Sequence, residues 1–274
     1  CTNFLSNYVR KKKKWINLKI MNIMNYQQCT KCIMDTSASN ISFDSNGICN
    51  FCSDYQQKLK PNYTNYRINS NLSTFIDKVK SEGTNKQYDC IVGVSGGVDS
   101  SWVLHQAVKH GLRPLAVHMD NGWNSELAQV NIELLVKTLD VDLYTHVIDW
   151  GVYKSMMNAF FNSDVIDIEL LYDNAMLAVN YKLAKKYKIR YILSGSNFST
   201  EGMSMPNGWN WWYKYDGWNI KSICKKYGVS DFGNFPIINT RDYLFSRYVR
   251  KIQWVHFLDY FEPCSLMKIF HKGI

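Results

Sequence analysis

The chain contains the stretch Val94-Ser95-Gly96-Gly97-Val98-Asp99-Ser100, and this stretch decides the fold. An apolar run over 88–93 precedes it and predicts a buried strand, and residues 101–110 follow with a helical pattern that Gly111 ends. The stretch is therefore expected to turn tightly from a strand into a helix. Its glycines let a ligand approach the backbone, its serines add hydroxyl donors, and the first helical amides favour negative charge. These properties predict a phosphate-binding turn.

Two common phosphate-binding motifs are absent from this turn. A Walker A loop needs Gly-x-x-x-x-Gly-Lys-Ser/Thr, and a Rossmann turn needs Gly-x-Gly-x-x-Gly. The pattern present, Ser-Gly-Gly-x-Asp-Ser, resembles the pyrophosphate loop (PP-loop) of the N-type ATP pyrophosphatase superfamily, whose members split ATP between the α- and β-phosphates. The resemblance implies that ATP is bound by Ser95, Gly96, Gly97, Asp99 and Ser100, and residues 95–100 are called the PP-loop below after this resemblance. A glycine-rich turn with incidental serines is the alternative.

Composition indicates a globular protein with a basic tail. Apolar residues make up 46% of the 274 residues, and this length suits one main domain with a smaller module. The net charge is +9, but six basic and no acidic residues lie within 1–20, and without them the charge is +3. Because a lysine-rich tail is usually solvated, we interpret residues 1–26 as a disordered tail and do not expect nucleic-acid binding.

No apolar run in the sequence is long enough to cross a membrane. The segment after the lysines imitates a signal peptide, but Lys19, Asn22 and Asn25 interrupt its apolar region. We therefore expect a cytoplasmic protein. The first residue is Cys1, and Met21 or Met24 is interpreted as the true start.

Four of the eight cysteines form two Cys-x-x-Cys knuckles, separated by sixteen residues: Cys29, Cys32, Cys49 and Cys52. This spacing is typical of a zinc ribbon, in which four thiolates close a tetrahedral and therefore structural Zn²⁺ site. An iron–sulfur cluster uses the same ligands and is the alternative, whereas disulfides are disfavoured in a reducing compartment. We predict a zinc-ribbon-like module over 27–56 and a connector over 57–87.

Strand and helix patterns alternate along the rest of the chain. Strands are predicted at 113–119, 142–148 and 189–194, and helices at 72–79, 124–139 and 168–187. The helix over 124–139 takes its spacing from Leu127, Val130, Leu134 and Leu135. Alternation of this kind implies an α/β fold with a doubly wound parallel sheet, here assigned to residues 88–262.

The carboxyl ends of parallel strands are where such sheets bind ligands. This rule gathers three segments at one edge: 95–100, 120–122 and 195–201. Asp99 and Asp120 are the candidate Mg²⁺ ligands there, because Mg²⁺ takes few carboxylates together with water and phosphate oxygens. Helix capping by Asp99 and a turn role for Asp120 are the alternatives.

Residues 198–219 form an aromatic-rich segment that contains Trp209, Trp211, Trp212, Tyr213, Tyr215 and Trp218. Glu201, Lys214 and Asp216 are interspersed among them. Since long loops at the strand ends often carry function, we interpret the segment as a cover over the site that suits a sugar ring. An aromatic plug on the sheet edge or a dimer contact is the alternative.

Because the two cysteine knuckles precede the PP-loop, the resemblance can be narrowed from the superfamily to one family within it. The further motifs are Phe43-Asp44-x-x-Gly47-Ile48-Cys49, Asp120-Asn121-Gly122 and Gly195-x-Asn197-x-x-Thr200-Glu201. In this order they resemble those of the N-acetyl sugar amidotransferases of lipopolysaccharide and pseudaminic-acid biosynthesis. The resemblance extends over about residues 27–261 and is weaker after Trp218.

This resemblance implies that the acetamido group of a nucleotide-linked sugar becomes an acetamidino group, with ATP converted to AMP and pyrophosphate. Ammonia would come from a separate glutaminase subunit. Catalytic roles fall to Asp99, Asp120, Glu201 and Lys214, and substrate contacts to Asn197, Lys214 and Asp216. The backbone of His118 and Met119 would face adenine, with Gly195 also at the ATP site.

Two other functions are left open by the sequence. Enzymes that thiolate or amidate a transfer-RNA base also pair this loop with cysteine knuckles, but a basic RNA-facing surface or a catalytic cysteine pair near the loop is not evident. The other is a non-catalytic zinc-ribbon module on a degenerate nucleotide fold. Residues 263–274 lack the basic, histidine-containing continuation of the family and are interpreted as an altered, truncated C-terminus.

Overall fold

The computed structural model describes residues 26–60, 71–209 and 213–261. Its contacts divide the chain into a first unit, which contains the residues up to 64 and the segment 202–209, and a second unit with the remainder. Several features predicted from the sequence lie outside the described residues: the basic tail up to residue 25, connector residues 61–70, Trp211, Trp212 and the C-terminal 263–274.

The first unit is organised around the four knuckle cysteines and has little regular structure. Its helix α1 (Asn50–Asp54) starts at Cys49 and continues into a single π-helical turn, Tyr55–Leu59. Cys29, Met34, Cys49 and Cys52 form its buried cluster. Met203 packs against this cluster, and the Ser39 hydroxyl donates to the Asn207 carbonyl over 3.1 Å, so segment 202–209 is part of the cysteine module.

The second unit contains a five-stranded parallel sheet in the order β3-β2-β1-β4-β5. The strands are β1 (Cys90–Gly93), β2 (Pro114–Asp120), β3 (Leu143–Val147), β4 (Tyr191–Ser194) and β5 (Gln253–His256). The prediction of a doubly wound parallel sheet is confirmed. The sequence did not indicate β5, because its four residues carry no buried alternation and only pairing with β4 places them in the sheet.

Helices cover both faces of the sheet. They are α2 (Leu72–Gly83), α3 (Val98–Lys109), α4 (Glu126–Leu139), α5 (Trp150–Asn162), α6 (Leu170–Lys186), α7 (Phe198–Glu201), α8 (Gly217–Lys226) and α9 (Thr240–Leu244). One core layer joins the sheet to α5, α6 and α8, and the other joins it to α2, α3 and α4. None of the helices in the described part of the chain is both long enough and apolar enough to span a membrane.

The buried side chain of helix α4 is not one of the residues from which its helical spacing was predicted. Ile132 is its buried side chain, whereas Leu127, Val130 and Leu134 are exposed. These three lie on the opposite side of the helix from Ile132, because they are separated from it by about half a turn at 100° per residue. Helical spacing therefore located the helix, although three of the four residues that carry the spacing are exposed.

The aromatic-rich segment is divided rather than one continuous loop. Residues 198–201 form α7, residues 202–209 belong to the cysteine module, and α8 begins at Gly217. Tyr215 stacks on Tyr243 with ring centroids 4.1 Å apart and an angle of 3° between the planes. The described part after the gap is thus packed against the second unit's own core.

Asn174 on α6 holds this region to the core through a fully buried amide. Its Nδ2 donates to the carbonyls of Lys214 and Ile238, each over 2.9 Å, and its Oδ1 accepts from the Ile238 amide over 3.0 Å. One side chain thereby forms hydrogen bonds with three backbone groups that are not part of a strand pairing.

We expect Asn174→Ala to lower the free energy of unfolding of the second unit by about 2–4 kcal/mol, because it leaves buried backbone groups without partners. Urea titration followed by circular dichroism measures this loss. Asn71→Ala is the matched control: it removes an exposed N-cap amide from α2 and is expected to cost about 1 kcal/mol. Equal losses in the two variants would contradict the role given to Asn174.

Candidate functional site

The sheet order reverses between β1 and β4, and a cavity of about 310 Å³ opens there beyond the carboxyl ends of the strands. The predicted site residues that line it are Ser95, Asp99, Ser100, Met119, Gly195 and Glu201. The structure therefore brings the PP-loop, the end of β2, the end of β4 and the last residue of α7 to one place, at the carboxyl ends of the strands.

Gly96 is required by a contact inside the protein. Its φ is +74°, and a Cβ added there would lie 2.4 Å from the Ala128 carbonyl oxygen on α4. Asn131, one turn further along α4, donates its side-chain amide to the Gly96 carbonyl over 3.2 Å. The sequence suggested that Gly96 makes room for a ligand, whereas the room is taken by α4, which buttresses the PP-loop from outside.

Gly195 marks a second close approach. A Cβ at this position would lie 3.1 Å from the Ser100 nitrogen and 3.2 Å from the Asp99 carbonyl carbon. The end of β4 therefore passes directly against the first turn of α3. This contact places β4 and the PP-loop side by side at the point where the sheet order reverses.

Ser95 and Ser100 close the PP-loop on itself. Their hydroxyl oxygens are 3.0 Å apart, and the Ser95 amide donates to the Ser100 hydroxyl over 3.1 Å. The hydroxyls and the first amides of α3 thus face the same small space, which is the donor arrangement that suits a phosphate group.

Asp99 lies in the first turn of α3, where the helix dipole favours a carboxylate. The N-cap of α3 is Gly97, so the capping alternative for Asp99 is not what the structure has. The Asp99 carboxylate is exposed, lines the cavity and forms no ion pair with a described residue. An oxygen donor in this position fits Mg²⁺ coordination.

An apolar wall completes the cavity, and the sequence did not indicate its residues. It is formed by Val117, Tyr172, Met176, Val179, Leu193 and Trp254. The Tyr172 hydroxyl donates to the Met119 carbonyl over 3.2 Å, and burial raises the pKa of Tyr172, so this hydroxyl stays protonated and the bond persists at neutral pH. A flat ring such as adenine could lie against this wall.

His118 does not line the cavity but joins Val94, just before the PP-loop, to the end of β2. It is buried, and its Nδ1 lies 2.9 Å from the Val94 carbonyl oxygen, which can only accept, so Nδ1 carries the proton. Its Nε2 then accepts from the Asn124 side-chain amide over 3.1 Å. The residue predicted to face adenine with its backbone therefore also has a structural side chain.

Asn124 links His118 to Asp120. Its amide nitrogen donates to Asp120 Oδ1 over 3.1 Å, and the Gly122 amide donates to the same oxygen over 2.9 Å. The turn role of Asp120 is thus carried by Oδ1, while Oδ2 accepts no hydrogen bond from a described residue. Asp120 does not line the cavity but adjoins Met119, which does. Asn124 is a residue that the sequence did not single out.

The three predicted substrate contacts lie outside the cavity lining. Lys214 forms ion pairs with Asp167 and, over 2.8 Å, with Asp173. Burial acts to lower the pKa of Lys214, but the two carboxylates outweigh it and raise that pKa. Asp216 caps α8 by accepting from the Asn219 amide over 3.1 Å, and Asn197 is buried just before α7. Substrate contact by these residues stays a prediction.

The four knuckle cysteines converge in the first unit. Their Sγ atoms lie within 4.8 Å of one another, with 4.0 Å between Cys29 and Cys52 and 3.7 Å between Cys32 and Cys49. Four thiolates about 2.3 Å from one Zn²⁺ would be separated by about 3.8 Å, so the donor set fits zinc.

Backbone amides favour the thiolate form of Cys29. Lys31 and Cys49 donate their amides to Cys29 Sγ over 3.3 and 3.2 Å. Burial acts to raise the pKa of Cys29, but these amide hydrogen bonds outweigh it and lower that pKa to about 6. Burial raises the pKa values of Cys49 and Cys52.

We expect the purified protein to contain about one zinc per chain and Cys32→Ser to lose most of it, because three thiolates hold Zn²⁺ less tightly than four. Mass-spectrometric metal analysis measures both. Cys224→Ala, a buried cysteine outside the cluster, is the control and should keep the metal. Iron with a visible charge-transfer band, or no metal, would contradict the zinc site.

We expect Asn124→Asp to weaken divalent-metal binding at the cavity about tenfold to hundredfold, since a carboxylate cannot donate to His118 or Asp120 and repels the latter. Electron paramagnetic resonance of Mn²⁺ with ATP measures this without turnover. The control is Gln129→Glu at an exposed position of α4, which adds the same charge and should leave binding unchanged. An equal loss in both variants would show a charge effect rather than a positioning role.

No protein-family model matches the chain, and no curated protein matches it. Several solved structures are similar to the chain. An NH3-dependent NAD synthetase from Campylobacter jejuni has 16% identity, a TM-score of 0.37, and coverage of 73% of this chain and 90% of that one. An NMN synthetase from Francisella tularensis has 15% identity, a TM-score of 0.38, and coverage of 73% and 91%. A predicted tRNA methyltransferase subunit from Methanocaldococcus jannaschii has 17% identity, a TM-score of 0.37, and coverage of 66% and 74%. At these TM-scores the likenesses say nothing about the chemistry of this chain.

Proposed function

We propose that the protein is an ATP-dependent, AMP-forming amidotransferase that converts the acetamido group of a nucleotide-linked N-acetyl sugar into an acetamidino group. The observation that carries the proposal is the Ser-Gly-Gly-x-Asp-Ser loop at the reversal of the sheet order, where it lines a cavity of about 310 Å³. The cavity combines phosphate donors at one end with an apolar wall at the other, as a nucleotide requires.

The PP-loop would hold the β- and γ-phosphates of ATP. Serine hydroxyls and the amides at the start of α3 face that position, and Asp99 supplies a carboxylate for Mg²⁺ beside them. Adenine would lie on the wall that contains Tyr172 and Met176. With the β- and γ-phosphates held by the loop, attack at the α-phosphorus would release them together as pyrophosphate.

The chemistry proceeds in two substitutions. The acetamide oxygen attacks the α-phosphorus of ATP, the bond to the bridging oxygen breaks, and pyrophosphate leaves. Ammonia adds to the carbon of the resulting imidate, the carbon–oxygen bond breaks, and AMP leaves with the former amide oxygen. Glu201 lines the cavity and is the carboxylate that we assign to take a proton from the attacking ammonia.

Ammonia would be delivered by a separate glutaminase subunit, as the resemblance to the N-acetyl sugar amidotransferases implies. Neither Cys90 nor Cys224 is placed as a glutaminase nucleophile, because burial raises the thiol pKa of each, that of Cys224 to about 11. Free ammonium should therefore replace the partner in an assay of this chain.

Modification of a transfer-RNA base is the second candidate function, because the same loop chemistry would adenylate a base oxygen. The segment 240–251 gives it some support: it carries Arg241, Arg247, Arg250 and Lys251 together with the exposed Phe245 and Tyr248. Basic side chains interleaved with aromatic ones are typical of nucleic-acid surfaces.

We expect nucleotide-linked acetamido sugars with ammonium chloride to stimulate release of AMP and pyrophosphate in equal amounts, and Asp99→Asn to reduce the rate about hundredfold or more. Chromatography of the nucleotides measures both products. Glu133→Gln, which changes an exposed carboxylate paired with Lys137, is the control and should retain full activity.

Two outcomes would contradict this assignment. ADP as the main product would exclude the AMP-forming reaction altogether. Stimulation by transfer RNA, but by none of the sugars, would keep the adenylation chemistry and transfer the substrate assignment to RNA.

A further inference from the structure

A second cavity, of about 420 Å³, lies in the second unit between β3, the C-terminal half of α6 and the segment 234–250. It shares Val179 with the cavity at the strand ends, and none of the PP-loop residues lines it. Its volume falls within the range of small-molecule sites. The proposed amidotransferase chemistry gives this cavity no role.

The lining of this cavity is strongly basic. Lys182, Lys185 and Arg250 contribute to it, and Asp242 is its acidic residue. None of the three cations forms an ion pair with a described residue. Arg250 is half-buried, with its guanidinium carbon 4.8 Å from the centre of the Phe245 ring. This contact holds the guanidinium group beside the ring, and its N–H groups form no hydrogen bond with a described residue, so they are available for a planar or tetrahedral anion.

Two polar groups in the lining form no hydrogen bond with a described residue. Ser246 is 5% exposed, and its hydroxyl forms no hydrogen bond with a described residue. His146 Nε2 is buried and also unpartnered. Burial and, secondarily, the charge of Lys182 lower the pKa of His146, so near neutral pH its imidazole is uncharged and can donate from Nε2. The Ser246 hydroxyl is therefore free to donate to a ligand in the cavity.

The local backbone supports the same interpretation. Ser246 lies in a π-helical turn, Phe245–Val249, that follows α9 and leads into Arg250. π-Helical turns are rare and occur frequently at functional sites. Here the turn places Ser246 and Arg250 on the same cavity.

We propose that this cavity binds a small phosphorylated molecule that carries a ring. Arg250 would hold the phosphate through paired N–H groups, Lys182 and Lys185 would neutralise it, Ser246 would donate one hydrogen bond, and the His146 ring would lie beside the ligand. The ring would lie against apolar walls formed by Tyr144, Pro236, Ile237 and Phe245. The proposal does not depend on the reaction at the PP-loop.

Histidine ring resonances test this proposal at the cavity itself. Protein labelled with ¹³C at histidine Cε1 is titrated with uridine monophosphate, and the His146 signal is identified by its loss in His146→Gln. We expect a saturable shift of His146 with no comparable shift of His118, which lies beside the PP-loop. Arg250→Gln should weaken the apparent affinity about tenfold to hundredfold and Ser246→Ala about threefold to tenfold.

Arg247→Gln is the matched control, since Arg247 lies on the same turn but does not line the cavity. An unmoved His146 signal, or equal weakening by Arg247→Gln and Arg250→Gln, would overturn the proposal. Inorganic phosphate should bind more weakly than uridine monophosphate, and equal affinities would overturn the part assigned to the ring. If oligouridylate binds more tightly than the mononucleotide and depends equally on Arg247, the surface is a nucleic-acid surface and the cavity proposal fails.

Discussion

The contact between Gly96 and Ala128 is the constraint on which the candidate site depends. It brings the backbone of the PP-loop so close to α4 that no side chain fits between them, and Asn131 adds a hydrogen bond to the same carbonyl. Gly195 makes the corresponding approach from the other side, against the first turn of α3. Two glycines thus allow three elements to meet at the reversal of the sheet order, and the donors of the loop have a fixed direction as a result.

Polar contacts extend this constraint to the end of β2. Val94, the last residue before the loop, is tied through His118 and Asn124 to the carboxylate of Asp120. The loop and the candidate metal ligand therefore cannot move independently without breaking a buried hydrogen bond. Since an oriented carboxylate needs no reorganisation when a cation arrives, such a chain favours metal binding at a defined position.

The residues after α7 belong to two different parts of the protein, although the sequence suggests one loop. Residues 202–209 pack with the cysteine cluster, and this segment begins directly after Glu201. A zinc site in that module would therefore stabilise the segment that follows Glu201. Lys214 and Tyr215 are instead held by α6 and by Tyr243. An aromatic-rich stretch that reads as one loop is therefore supported at its two ends by different parts of the protein.

The sequence by itself determined the parallel α/β class, the position of the phosphate-binding turn and the metal-type spacing of the four cysteines. Each of these is encoded locally, by a strand followed by glycines and a helix, or by paired cysteines. Only the tertiary structure decided that Gly96 is needed for packing against α4, that Asn124 and Tyr172 belong to the site, and that Lys214 is held by Asp167 and Asp173. It also decided which face of α4 is buried and gathered Ser246, Arg250 and His146 around one cavity. These features bring together side chains from distant parts of the chain, and no local pattern records which side chains will meet.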